Sequence, residues 1–360
     1  MAAPADARPL VEKLLRDAID RRASDVHFEP TRDGVELKYR IDGQLHTAER
    51  LAGDTGQACI NRLMVLGQLL TYRRDVPQES RFSLDAGEAG LLDLRLAVMP
   101  TTHGLRAVVR LPAELIQAHR LDELDLPEHA RKLIDRYTHA DAGMLLICGP
   151  AGSGKTTTTY AILEHIVATQ AGLSVISLED PVERDLEGVT QIEVTPFGEL
   201  SYERALRSML RQDPQVLALG EIRDKATASI AVQAALSGHR LLATLHAARP
   251  EAAVVRLLEM GIEPYQLASS LVGILAMRLL RRSDGAGGYR GRVPLVEAAH
   301  IDAEARQAIL HGRDDAAIRI AFAGQGGFIA FGDLARRLID QGLTDAAEVE
   351  GTLGPDLREA

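Results

Sequence analysis

The fold turns on residues 144–157, Met144-Leu145-Leu146-Ile147-Cys148-Gly149-Pro150-Ala151-Gly152-Ser153-Gly154-Lys155-Thr156-Thr157. The first five form a continuous apolar run, the pattern of a strand covered on both faces of a parallel sheet. Gly149 to Thr156 then satisfy G-x-x-x-x-G-K-[ST] at every position, and the stretch from Thr157 to Ala168 favours a helix. Strand, loop and helix stand in the order that gives the motif its meaning. Ordinary residue usage puts a chance match in a chain of this length at roughly 1 in 100. Glycines let the backbone close around a phosphate, while exposed N–H groups and a helix N-terminus supply partial positive charge. Gly149, Pro150, Ala151, Gly152, Ser153, Gly154, Lys155, Thr156 and Thr157 are therefore expected to bind the phosphates of a nucleotide. Lys155 would reach the β- and γ-phosphates, and Thr156 would offer its hydroxyl to Mg2+.

Splitting a triphosphate needs more than a grip: it needs a metal ligand and a group that orients the attacking water. Downstream, Ser174 to Leu178 form a second buried strand pattern ending in Glu179-Asp180-Pro181. Val216 to Leu219 form a third, ending in Gly220-Glu221, and Leu241 to Leu245 a fourth, ending in His246. A carboxylate at the carboxyl end of a strand in an open α/β sheet sits where ligands bind. Glu179, Glu221 and His246 beside one phosphate loop make a constellation, whereas each alone is as well read as a strand-end cap. Ser201 is a candidate N-cap for a helix to Arg211. Arg204, Arg207 and Arg211 share one face of it, a stripe that by itself reads as a solvated surface.

Upstream, Leu10, Val11, Leu14, Leu15, Ala18 and Ile19 recur at helical spacing. Alternation follows from Asp25 to Glu29, with Val26 and Phe28 facing one way. Asp33-Gly34 and Asp42-Gly43 are hairpin-turn dipeptides flanking a strand at 35–41. A helix is expected over Thr55 to Leu70, and further strands around 82–84, 92–98 and 105–111. This is a small α+β domain over about 3–111. His27 with Glu29 is better read as a surface network than as a metal pair. Arg81, Arg95, Arg106 and Arg110 lie on its strands, where arginines can project toward a phosphate but by themselves read as ordinary solvated strand faces. Residues 112–137, opened by Pro112 and punctuated by Pro127, are expected to connect this domain to the next.

The chain has 360 residues, 46% hydrophobic and 26% charged, which is ordinary for a globular protein and argues against disorder or coiled coil. No apolar run is long enough to span a bilayer, and the first residues lack the pattern of a signal peptide. Cys59 and Cys148 are the only cysteines, so no disulfide framework and no C-x-x-C zinc site is expected. A formal net charge of −10, 4% aromatics and no Trp argue against a nucleic-acid-binding role.

The motifs together resemble the ATPases of type II secretion and type IV pilus assembly, the GspE/PilB family of the secretion ATPase superfamily. Ala23-Ser24-Asp25-Val26-His27-Phe28-Glu29-Pro30 is similar to the opening signature of the family's second N-terminal domain. Residues 149–156 resemble its Walker A, Leu178-Glu179-Asp180-Pro181-Val182-Glu183 its Asp box, and Gly220-Glu221-Ile222-Arg223-Asp224 its Walker B region. Ala235 to His246 resemble its His box. The resemblance implies an α/β fold: a RecA-like P-loop NTPase core over about 138–295, a smaller N-terminal α+β (PAS-like) domain and a helical C-terminal tail over 296–360. It implies ATP and Mg2+ as ligands, with Glu179 polarising the attacking water, Glu221 acting on Mg2+, and His239 and His246 lining the nucleotide site. Arg95, Arg106 and Arg110 would be contributed to the nucleotide by the N-terminal domain, with 112–138 as the candidate hinge. It further implies a homohexamer, cytoplasmic and peripheral at the inner membrane. That hexamer would push on a membrane platform protein to assemble a pilus or pseudopilus.

The chain departs from the family pattern at Gln215, where a second aspartate is usual, at Ser237, where a threonine is usual, and in two larger features. Residues 277–292 run through Ser283 to Gly288 without the usual four-cysteine zinc module, and the extra N-terminal docking domain is not recognisable. The alternatives are a retraction motor of the same superfamily, a RecA-like nucleic-acid motor, and a nucleotide-binding regulator that does not hydrolyse.

Overall fold

The computed structural model describes residues 7–87, 90–112, 120–194, 200–312 and 314–354, and the chain divides into two compact units, Met1–Gln117 and Ala118–Ala360. In the first, helix α1 (Ala7–Asp20) buries Val11, Leu14, Leu15 and Ala18 on one face. Strands β1 (Asp25–Pro30), β2 (Gly34–Ile41) and β3 (Gln44–Ala52), helix α2 (Gly53–Leu66), and strands β4 (Gln78–Asp85), β5 (Leu91–Thr101) and β6 (Gly104–Arg110) follow. The sheet has the order β3-β2-β1-β6-β5-β4, each neighbouring pair antiparallel. Its alternation is that of a sheet with one covered face. Val26, Phe28, Leu37, Tyr39, Leu94, Leu96 and Val109 form that core with the two helices. Asp42 and Gly43 both take positive φ, 48° and 89°, in a two-residue turn that sets Ile41 opposite Gln44. The strand after this turn, β3, is exposed along most of its length and so carries little apolar alternation.

In the second unit a short 3-10 turn (Leu121–Leu124) precedes α3 (Glu128–Thr138), β7 (Gly143–Cys148), α4 (Lys155–Thr169), β8 (Val175–Glu179) and β9 (Thr190–Glu193). Next come α5 (Tyr202–Met209), β10 (Val216–Leu219), α6 (Lys225–Leu236), β11 (Arg240–Leu245), α7 (Pro250–Glu259) and α8 (Pro264–Ser270). The hairpin β12 (Leu271–Ser283) and β13 (Tyr289–His300) leads into α9 (Ala303–His311), α10 (Asp315–Ala323), α11 (Phe331–Asp340) and α12 (Ala346–Leu353). The sheet runs β13-β12-β7-β11-β10-β8-β9, parallel at every described pairing except β12 with β13. Its central strands are apolar throughout because both faces are covered. Met144, Leu146, Leu217 and Leu241 pack on one side, and Leu145, Ile147, Val216 and Leu242 on the other.

Two expected boundaries move. Residues 113–119 lie outside the described residues, but from Leu121 onward the expected connection is built into the second unit. Leu126, Ala130, Leu133, Ile134 and Tyr137 are buried in the core beside β7, so the helix expected near 128–137 presents an apolar stripe that docks rather than hinges. The segment after 295 begins inside β13 and becomes helical only from Ala303. Its Ile309, Ile318, Phe322, Phe331 and Val349 share one core with Ala253 and Leu257, so these helices are part of the second unit rather than a tail.

Candidate active site at the carboxyl edge of the parallel sheet

Strand β7 runs straight into the glycine-rich loop and α4. A Cβ on Gly149 would lie 2.4 Å from Ser153 Oγ and 2.6 Å from the Met277 carbonyl oxygen, so this position admits glycine alone. Gly154, at φ 92°, turns the chain into α4 in a conformation that side chains resist. The loop curls around Lys155, whose Nζ donates to the carbonyls of Gly149 and Pro150, both at 2.9 Å. Burial lowers the Lys155 pKa, with nearby Glu221 opposing the shift. The hydroxyl of Ser153 is buried without a partner among the described residues. Thr156 lines a small cavity together with Thr159, Tyr160, Ser177, Glu179, Gly220 and Thr244. Thr159 Oγ1 is likewise buried and unpartnered, so that cavity has a polar wall able to hold water. Thr157 follows on α4, half-buried and outside the cavity lining.

The two glutamates differ sharply. Glu179 closes β8 with 6% of its surface exposed. Its Oε1 accepts from Ser177 Oγ at 2.5 Å and from Gln191 Nε2 at 3.0 Å, and its Oε2 accepts from the Tyr160 hydroxyl. Glu221 follows β10 on the open side. Its Oε2 accepts from Arg223 Nε at 3.0 Å, and its Oε1 lies 3.4 Å from His246 Nε2. Arg223 also donates to Asp180 Oδ2 at 2.9 Å, so one guanidinium ties the end of β8 to the end of β10. These carboxylates raise the Arg223 pKa, Glu221 most strongly. Thr244 Oγ1 donates to the Gly220 carbonyl at 2.5 Å and fixes the backbone from which Glu221 projects.

The structure thus brings the loop, Lys155, Thr156, Glu179, Glu221 and His246 to the carboxyl edge of one sheet. It does not bring His239 there. The His239 carbonyl accepts from Gly143 N at 3.0 Å, at the start of β7, and its Nδ1 lies 3.0 Å from the Ala234 carbonyl oxygen. His239 therefore sits at the amino edge, and the intervening strand β11 alone spans about 20 Å at roughly 3.3 Å per residue.

Arg95, Arg106 and Arg110 lie on β5 and β6 of the first unit. Arg106 Nε donates to both Glu29 oxygens at 2.9 Å and its Nη2 lies 3.0 Å from His27 Nδ1. Arg110 Nε donates to Asp25 Oδ1 at 2.9 Å, and Arg95 stands in register between Arg81 and Arg110. His27 is buried here rather than solvated, and that burial, with Arg106 next, lowers its pKa. On α5, Ser201 caps the helix by accepting from Arg204 N at 3.2 Å. Arg207 pairs with Glu203, and Arg211 donates to the Arg207 carbonyl.

Sequence reasoning missed Tyr160, Ser177, Gln191 and Arg223 as parts of the site. Ser177 and Glu179 share a strand face at period two, and Tyr160 follows Lys155 by five residues on α4. Those were the available signals. Gln191 carried none, since its short strand β9 was not legible.

Residues 3–351 match the family described as Type II/IV secretion system protein. The type II secretion system protein HxcR of Pseudomonas aeruginosa is 37% identical over 360 aligned residues, covering 94% of this chain and 76% of that protein. The type IV pilus assembly ATPase PilB of Thermus thermophilus is 33% identical, covering 87% of this chain and 39% of that protein. Among solved structures, the pilus retraction motor PilT with bound ADP superposes with a TM-score of 0.68 at 26% identity, over 97% of this chain and 98% of that one.

Proposed function

The chain belongs to the type II/IV secretion system protein family, and on that premise we propose that it is an Mg2+-dependent ATPase motor that powers assembly of a type II secretion pseudopilus or a type IV pilus. It is an ATP-hydrolysing enzyme of that family. The observation that carries the reading is the convergence of Lys155, Glu179 and Glu221 on one sheet edge around a glycine-rich loop. Lys155 is held by two carbonyls in the loop it serves, so its ammonium moves little to meet the β- and γ-phosphate oxygens. Thr156 and Glu221 are oxygen donors suited to Mg2+, which takes one or two protein oxygens and completes its shell with phosphate and water. Among the described residues no group of three or more His, Cys, Asp or Glu could hold a metal by itself. When bound, Mg2+ would neutralise charge on the β- and γ-phosphates. Glu179 orients and polarises the attacking water from within its cavity, and His246 contacts Glu221 where it can respond to the occupied site.

In this proposal the motor is a homohexamer driven by domain rotation, with Arg95, Arg106 and Arg110 contributed to the nucleotide. Among the described residues no helix is long and apolar enough to cross a membrane, and the motor reaches the cytoplasmic face of the inner membrane through a platform protein. A second reading, a retraction motor, is favoured by the likeness to PilT over nearly the whole of both chains. The direct test is phosphate release from ATP with and without Mg2+, together with native mass measurement. Metal-dependent turnover by a sixfold assembly supports the proposal, and absence of turnover in the assembled protein contradicts it. Pilus length in a deletion strain separates assembly from retraction.

A further inference from the structure

We infer that Tyr160, Ser177 and Gln191 are positioning residues that hold the Glu179 carboxylate in its working orientation, an inference that rests on Glu179 being the water-polarising group. The three come from different elements, α4, β8 and β9, and each donates to Glu179. Their hydrogen bonds have no freedom to reverse. The Tyr160 oxygen already accepts from Glu183 N at 3.1 Å, so its proton is left to point at Glu179. Gln191 Oε1 accepts from Leu186 N at 2.8 Å, which fixes the side-chain amide and turns Nε2 to Glu179 and to the Arg184 carbonyl, both at 3.0 Å. Both carboxylate oxygens are therefore acceptors, in a pocket that leaves 6% of the residue exposed. Tyr160 is braced in turn. The Arg184 guanidinium lies 5.6 Å from its ring centroid and pairs with Glu164 at 2.7 Å. Burial, then the bond to Glu179, raises the Tyr160 pKa, so the phenol keeps the proton it donates.

A carboxylate that must aim at a water within a few tenths of an ångström needs such a shell, because catalysis falls steeply with misplacement. Tyr160 follows Lys155 and Thr156 on the same helix, and its hydroxyl holds the backbone just beyond Glu179. It therefore links the helix that grips phosphate to the group that acts on water. Tyr160→Phe removes one donor to the ionised carboxylate. With the carboxylate less firmly aimed, kcat at pH 7 should fall about tenfold while KM for ATP stays within about twofold.

Tyr160→Phe also leaves the Glu183 N–H without its acceptor. Ser177→Ala, which disturbs no backbone bond, is therefore the second arm, and Ser177→Thr, which keeps a hydroxyl beside the cavity, should restore kcat. Steady-state ATP turnover of the assembled protein at pH 7 reads all three variants. If Tyr160→Phe and Ser177→Ala both keep wild-type kcat while Glu179→Gln is inactive, this inference is wrong and the site reading stands. A loss confined to KM also overturns it, by making the shell part of nucleotide binding. If Glu179→Gln itself turns over normally, the site reading fails first. Should Tyr160→Phe not fold, the serine pair decides.

Discussion

The two edges of the second unit's parallel sheet carry polar clusters of similar size and opposite meaning. At the carboxyl edge, Lys155 bonds to two loop carbonyls, two hydroxyls are buried without partners among the described residues, and a cavity opens beside Glu179. At the amino edge, Arg240 is buried with its Nη1 donating to the Thr138 carbonyl at 2.5 Å and to Gln170 Oε1 at 2.8 Å, and Gln170 returns a bond to Thr138. The first edge presents polar groups to a cavity, whereas at the second Arg240 and Gln170 bond to each other and to the Thr138 carbonyl. Parallel strands explain the asymmetry, since loops that follow strands on one edge converge there while the opposite edge collects the returning helices.

Substitutions should divide along the same line. The largest effect belongs to Lys155→Ala, which removes the cation facing the phosphates; ATP binding and turnover should both fall to background, and normal turnover would refute the site. Glu179→Gln should keep ATP binding within a few-fold while kcat drops by about 10²-fold or more, the scale of a lost general base. His246→Ala, which removes a contact to Glu221, should lower kcat by about tenfold. His239→Ala, only seven residues away in sequence, should stay within about twofold in the same assay. Equal losses from the two histidines would break the comparison between edges. At the small end for chemistry, Arg240→Met should leave kcat unchanged and cost about 2–3 kcal/mol of stability, since buried carbonyl and amide groups lose their donor. Thermal melting should register this as a fall of about 5–10 °C.

Much of this was legible in the sequence. The strand-loop-helix order at 144–168 and the acids ending two later strands located the carboxyl edge, because buried parallel strands are apolar without interruption and end abruptly in polar residues. His239 was placed wrongly because a motif resemblance groups it with His246 and says nothing of the strand between them. The 112–137 connection was misjudged for a different reason. Periodicity showed a helix near Glu128 to Tyr137, but periodicity cannot tell whether an apolar stripe finds a partner in the fold. The hairpin of β12 and β13 went unseen because its apolar stretch from Leu271 to Leu280 is interrupted by Arg278, whose Nη1 and Nη2 donate to the carbonyls of Met277 and Ala248. The shell around Glu179 is assembled from residues 160, 177 and 191, and contacts of that kind leave no local pattern.

The most direct measurement is a structure of the protein with Mg2+ and a non-hydrolysable ATP analogue. The account expects the γ-phosphate at Lys155 Nζ, the metal between Thr156 and Glu221, and the Glu179 carboxylate directed through a water at the γ-phosphorus. A nucleotide bound away from the carboxyl edge, or a γ-phosphorus out of reach of Glu179 through one water, would contradict it.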